Sequence, residues 1–391
     1  MDVIRIYLED PSVVSVFENE ERDLHTTRSW NFLGVESDEE IIPPNSIWKA
    51  ARFGEDTIIG NLDTGVWPES KSFNDAGYGP VPSRWRGACE GGANFSCNRK
   101  LIGARYFYQG VVSAKGLLNN TFNTARDRGG HGSHTLSTAG GNFVPGANIF
   151  GYGNGTAKGG SPKARLAAYK VCWPAPNGGC FDADILAAFE AAISDGVDVL
   201  SVSLGGRAQE FSRDPISIGA FHAVQQGIVV VCSGGNKGPT PQTVSNISPW
   251  KFTVAASYSD RSFTNYVVLE NKKHFKGPSL SSGELPEGKF YPLMNAVEAK
   301  AANASDNLAQ ICEYGSLDPT KAKGKIIVCH LGDNSRIDKG FEVVRVGGVG
   351  MIIVNDKKDG SNLNIDLHIL PASHLNYEDG LSIAQYMNST K

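Results

Sequence analysis

The chain has 391 residues, 40% of them hydrophobic and 20% charged, with 37 basic against 41 acidic side chains and a net charge of −4. That is enough apolar chain for one large core or two to three smaller ones. No basic block points to nucleic acid, no acidic tail points to a solvating role, and no apolar run nears the roughly 18 residues that span a membrane.

The first twenty residues lack the basic start and long apolar stretch of a signal peptide, so on its own the N-terminus predicts no route to secretion. The cysteines point the other way. Cys89 and Cys97, Cys172 and Cys180, and Cys312 and Cys329 make three local pairs, with Cys232 left over. Such a set fits disulfides formed in an oxidising compartment; zinc is the rival reading, but no C-x-x-C accompanies these spacings. N-x-S/T sequons at Asn94, Asn119, Asn154, Asn246, Asn303 and Asn388 lend weak support to a secretory protein.

In chain order, the apolar run Thr57–Leu62 predicts a buried strand that delivers Asp63 at its tip, before Thr64 and Gly65. A carboxylate there can orient an imidazole and stabilise its cation. A turn-forming aspartate is the ordinary reading. Asp-Thr-Gly is also the aspartic-protease triplet, but that chemistry needs two carboxylates and no second such triplet occurs. Next comes Gly130-His-Gly-Ser-His134, where residues 133–138 can begin a helix carrying His131 at its N-terminal end. A histidine that is neutral near pH 7 can shuttle a proton from a serine hydroxyl; a structural histidine is the alternative. His134 reads as structural, since the H-x-x-H pair lacks the glutamate and third ligand of a zinc site. No metal or cofactor is predicted.

Arg165–Trp173 reads as a strand, and Asp182 as the cap of a helix through Ser194, with Ile185, Leu186, Phe189 and Ile193 at helical spacing. Gly196 ends that helix and Val197–Leu204 is an apolar strand. The unit then repeats: helix Ile216–Gln226, strand Ile228–Cys232, strand Phe252–Ser257. Strand–helix–strand units with continuous apolar strands predict a parallel α/β sheet covered on both faces. Its ligand chemistry belongs at the carboxyl ends of strands, where Asp63, Ser203-Leu204-Gly205-Gly206 and Asn236 fall. The Asn236 amide can donate to a developing oxyanion, or simply form a turn beside two glycines; the glycine-bearing edge at 203–206 can pair with an extended peptide. Beyond about residue 260, Asn271–Glu298 reads as a Gly-, Pro-, Ser- and Lys-rich connector. A compact α/β unit follows, with strand Lys325–His330, helix Lys339–Val346, strand Gly350–Asn355 and then Leu370–Ala384.

The order of these pieces (Asp at a strand end, His at a helix start, a Gly-Gly edge, then Asn) resembles the plant branch of the subtilisin-like serine proteases. By that resemblance Asp63 is the catalytic acid, His131 the catalytic base, Asn236 the oxyanion donor, and Ser203–Gly206 the strand lining the substrate cleft. Ser133 stands where the family more often has Thr. The segment Val13–Phe17 and the run Leu24–Phe32 resemble the end of an inhibitory propeptide and the start of the mature enzyme, with the cut near His25–Thr26. Cys312–Val328 and Lys339–Lys391 resemble the family's protease-associated domain. The implied organisation is therefore propeptide tail 1–25, catalytic domain 26–270, connector 271–298 and protease-associated domain 299–391. The implied partners are a protein or peptide substrate and the chain's own propeptide as inhibitor, and the implied setting is the apoplast. In the family the nucleophilic serine follows the protease-associated insertion, and no Gly-Thr-Ser or Gly-x-Ser-x-Gly occurs in these residues. The expectation is a serine endopeptidase by family that is inactive as this polypeptide, the alternative being a non-catalytic peptide-binding protein.

Overall fold

The computed structural model describes residues 28–37, 40–92, 94–116, 123–173, 179–206, 209–238, 240–257 and 262–390. They fall into two compact units, within Met1–Ala147 plus Gly153–Ser259 and within Asn148–Tyr152 plus Asp260–Lys391. The propeptide-like segment 1–25 and the expected cut at His25–Thr26 lie outside the described residues.

The first unit is built on six parallel strands: β1 (Ile58–Asp63), β2 (Leu101–Tyr106), β3 (Arg165–Lys170), β4 (Val199–Val202), β5 (Val229–Ser233) and β6 (Phe252–Val254), in the spatial order β6-β5-β4-β1-β3-β2. Every residue of β1 is buried, as expected of a central parallel strand covered on both faces. Alternation splits its side chains. Ile58 and Leu62 pack with Phe189 and Ala220 of helices α2 (Asp182–Asp195) and α3 (Pro215–Gln225). Ile59 packs with Leu136 of helix α1 (His131–Gly140). Asp63, two places beyond Asn61 and four beyond Ile59, therefore faces α1. The chain leaves β1 towards β2 and β3 but leaves β4 towards β5 and β6, so the topological switch lies between β1 and β4. Their carboxyl ends open the crevice where such sheets bind ligands.

Several boundaries differ from the sequence reading for local reasons. The strand expected over Arg165–Trp173 ends at Lys170; Cys172–Trp173 turns away to pair antiparallel with Gly179–Cys180, joined by the disulfide Cys172–Cys180. Asp182 does not cap α2. Phe181 holds the cap position without a side-chain bond, and Asp182 and Asp184 stand in the first turn, where their charge complements the helix dipole. Asp184 points away from its own helix and accepts the Gly110 and Val111 amides at 2.8 and 3.0 Å. Asp214 caps α3 by accepting from Ile216 N–H, with Pro215 at the first helical position. Gly196, at φ 86°, stops α2 as expected.

The second unit holds a four-stranded parallel sheet, β7 (Leu293–Asn295), β8 (Ile326–His330), β9 (Gly350–Val354) and β10 (Ala372–Leu375), with helices α4 (Arg336–Arg345) and α5 (Tyr377–Ser389). Residues 271–298, expected as a connector, instead contain strand His274–Pro278, paired with Thr264–Val268, then Leu280–Ser281 and β7. Glycine hid the first of these. A Cβ on Gly277 would lie 2.4 Å from the His374 carbonyl, so the residue that weakens strand propensity is the one that permits the approach. Disulfides Cys89–Cys97 and Cys312–Cys329 also form, and Cys232 is free and buried, with burial pushing its thiol up to about 12, which leaves it unreactive.

Candidate active site

Asp63 and His131 meet. The Nδ1 of His131 lies 2.7 Å from Asp63 Oδ1, across a sequence separation of 68. The Asp63 side chain is 1% exposed and the His131 side chain 52%, so a buried carboxylate holds one edge of a ring whose remainder is open to a reactant. The other carboxylate oxygen accepts from the Thr135 hydroxyl at 3.0 Å, and Oδ1 also accepts from Thr64 N–H at 2.7 Å. An imidazole and a hydroxyl as partners make an acid–base pair; two carboxylates sharing a proton, as aspartic-protease chemistry requires, is a different arrangement.

Glycine makes the approach possible at two positions. A Cβ on Gly132 would sit 2.2 Å from the Gly65 carbonyl oxygen, and one on Gly65, at φ 107°, 2.2 Å from the Ala125 oxygen. The turn after β1 and the start of α1 therefore touch backbone to backbone, as only glycine allows. Asn61 fastens the same face, its amide reaching Thr135 Oγ1 at 3.1 Å and Gly132 O at 3.4 Å. Gly130, at φ 86°, occupies the cap position of α1 and has no side chain to serve there. His134 lies exposed on the first turn.

Asp127, a residue to which the sequence assigned no role, fills that gap. Its buried carboxylate accepts Ser133 N–H and Oγ–H, both at 2.8 Å, on Oδ2. On Oδ1 it accepts Gly129 N–H at 3.0 Å, Gly130 N–H at 2.8 Å and the Thr64 hydroxyl at 3.0 Å. Burial pushes its pKa up, but the bonds from Ser133, Gly130 and Thr64 outweigh burial and hold it below the ordinary carboxylate value. Ser133 Oγ in turn accepts from Trp67 N–H at 2.9 Å. Lys170 stands beside Asp63 in the β1–β3 register; its Nζ donates to Arg126 O at 2.7 Å, and burial pushes it down to about 8. Trp67, Asp127, Arg128, Gly129, Gly130 and Ser133 line an open depression of about 460 Å³ beside the histidine.

Asn236 and Ser203–Gly206 sit on the same edge of the sheet as Asp63. Leu62, Val202 and Cys232 stand in one row across β1, β4 and β5, so residues 63, 203 and 233 emerge together. Adjacent strands lie about 4.8 Å apart, which puts the β5 end two strand spacings from Asp63. Asn236 is exposed three residues past β5; Ser203 and Leu204 are half-buried, Gly205 and Gly206 exposed. A clamp missed in the sequence sets that edge: Asn246 Nδ2 donates to Leu204 O at 2.8 Å and Ser233 O at 2.9 Å. Asn246 is therefore buried and engaged, and its sequon cannot take a glycan in the folded chain. Asn94, Asn154, Asn303 and Asn388 are exposed, and Asn119 lies outside the described residues.

The subtilase family model matches residues 54–361. Two Arabidopsis thaliana proteins, subtilisin-like protease SBT5.3 and subtilisin-like protease SBT5.4, are 59% and 58% identical to the chain, each match covering 97% of it. A Glycine max protein, subtilisin-like protease Glyma18g48580, is 50% identical over 92% of the chain. The matches cover 50%, 49% and 46% of those relatives, so the chain spans about half the length of each. The chain belongs to the subtilase family.

Proposed function

We propose that these 391 residues carry the acid, the base and the oxyanion donor of a serine endopeptidase. His131 takes the proton of a serine hydroxyl and returns it to the leaving amine; Asp63 fixes the ring's tautomer and stabilises its cation; Asn236 donates to the oxyanion of the tetrahedral intermediate. Ser203–Gly206 pairs with the substrate backbone as an added strand. The reaction is peptide-bond hydrolysis through an acyl-enzyme. The observation that carries this reading is the 2.7 Å contact between a buried carboxylate and a half-exposed imidazole at the carboxyl edge of a parallel sheet.

By the same reading the nucleophile is a serine outside these residues, so this polypeptide alone does not hydrolyse peptides. Residues 299–391 form a protease-associated domain, 1–25 end an inhibitory propeptide cut near His25–Thr26, and the working enzyme is a secreted glycoprotein. Three disulfides and four exposed sequons support that setting.

The test is a fusion in which these residues replace the matching half of the SBT5.3 relative. Hydrolysis of a protein substrate by the fusion, lost in His131→Ala and absent from the 391 residues alone, is expected. A fusion that folds and binds peptides without cleaving them would instead support the non-catalytic binding protein.

A further inference from the structure

We propose that Asp127 is a positioning residue for the Asp63–His131 pair, a role that rests on the function proposed above. It touches neither partner. Its two oxygens reach Thr64, the residue after the acid, Gly130, the residue before the base, and Ser133, two residues beyond it.

The local geometry makes this more than a helix cap. A helix N-terminus leaves its first amides without intrahelical partners, and the residue in the cap position usually supplies an oxygen to the third. Here Gly130 has none to give, and Asp127, three residues upstream, reaches over the glycines to the Ser133 amide in its place. Because His131 is the first residue of α1, whatever fixes the first turn fixes the imidazole. Capping alone would need only Oδ2. The other oxygen binds Thr64, whose own N–H donates to Asp63 Oδ1 and whose hydroxyl accepts from Gly132 N–H at 2.7 Å. Acid and base are thus tied through one carboxylate and one threonine, independently of their direct contact.

Asp127 is itself held in place. Its backbone N–H donates to Val66 O and the Ala125 carbonyl accepts from Val66 N–H, both at 3.0 Å, joining the loop to the turn after β1. The intervening Arg126 carbonyl takes the Lys170 ammonium. A loop pinned on both sides presents a fully satisfied anion, and such support keeps reacting groups within the small tolerance that proton transfer needs.

The test uses the 391-residue chain labelled with ¹⁵N-histidine and reads the proton on His131 Nδ1, which a short bond to a carboxylate moves far downfield and protects from exchange with water. The wild type is expected to show that signal. Asp127→Asn turns a donor towards groups that already donate and is expected to lose it, while Ser133→Thr, which keeps both the amide and the hydroxyl, retains it. Asp184→Asn removes a buried carboxylate that also caps a helix, the Gln109–Lys115 segment, and is the control for general loss of stability. If Asp127→Asn keeps the wild-type signal, or if Asp184→Asn removes it equally, Asp127 is a structural cap and the proposal is overturned. Should Asp127→Asn not fold, Ser133→Ala, which removes one donor to the same oxygen, must speed exchange of the signal for the proposal to stand. Absence of the signal in the wild type would overturn the acid–base pair itself, a failure separate from that of Asp127.

Discussion

His131 in the first unit and His374 in the second are the same residue put to opposite uses. His374 is buried in β10, with Nε2 2.7 Å from the Asn355 amide oxygen, a neutral partner. Burial pushes its pKa down, the charges of Arg336 and His368 adding to that against a bond the ring donates to the Asn364 carbonyl and the charge of Asp366; His368 is lowered by burial too. His131 lies half in solvent with a buried carboxylate behind it. A ring buried against a neutral amide, with burial lowering its proton affinity, serves packing. A ring with an anion on one nitrogen and open space around the rest can accept a proton and give it back. The difference comes from the ends of strands and helices that surround each ring.

That contrast can be broken most decisively at His131. In the fusion enzyme His131→Ala should cut kcat by about 10⁶, and Asp63→Asn by about 10⁴, values carried over from subtilisin and chymotrypsin-type triads. The corresponding His374→Asn should leave kcat unchanged. Next in size, Asn236→Ala should cost about 10²–10³ in kcat with KM unaltered, again by the subtilisin precedent; a change in KM alone would make Asn236 a binding residue. On the structural side, His374→Ala should destabilise by about 1–3 kcal/mol in a urea melt, because the buried Asn355 oxygen loses its partner, whereas His131→Ala should cost less, because water can enter the place of the half-exposed ring beside Asp63. The smallest effect is on pH. Folded pKa values of His368 and His374 lie below the 6.5 of an unperturbed histidine, so the unfolded chain binds more protons below that value. Stability should therefore fall as pH drops through 6.5, and a His368→Asn, His374→Asn double variant should show a flatter profile. A wild-type profile that rises on acidification would contradict the burial argument.

Much of this was legible beforehand because it is carried by local patterns. The apolar run before Asp63 reads as a strand with the acid at its tip, and the strand–helix–strand repeat from residue 165 onward reads as a parallel sheet. The cysteine pairs were close in sequence and paired as read. What escaped the sequence was contact between side chains far apart in it. Asp127 drew no role from the sequence because its donors Thr64 and Ser133 are brought to it only when the turn after β1 meets α1. Asn246 looked like a glycan acceptor because nothing local reveals that both of its amide hydrogens are already committed to strand ends. The strand at His274–Pro278 was masked by glycine and proline, and the close approach that Gly277 permits is visible only against β10.

The most direct measurement is the rate at which a peptide phosphonate labels the fusion enzyme, with and without His131→Ala, and the site of the label. The account predicts covalent attachment to one serine beyond these 391 residues, with labelling abolished by the substitution. Attachment to a serine within them, or a rate indifferent to His131, would contradict it.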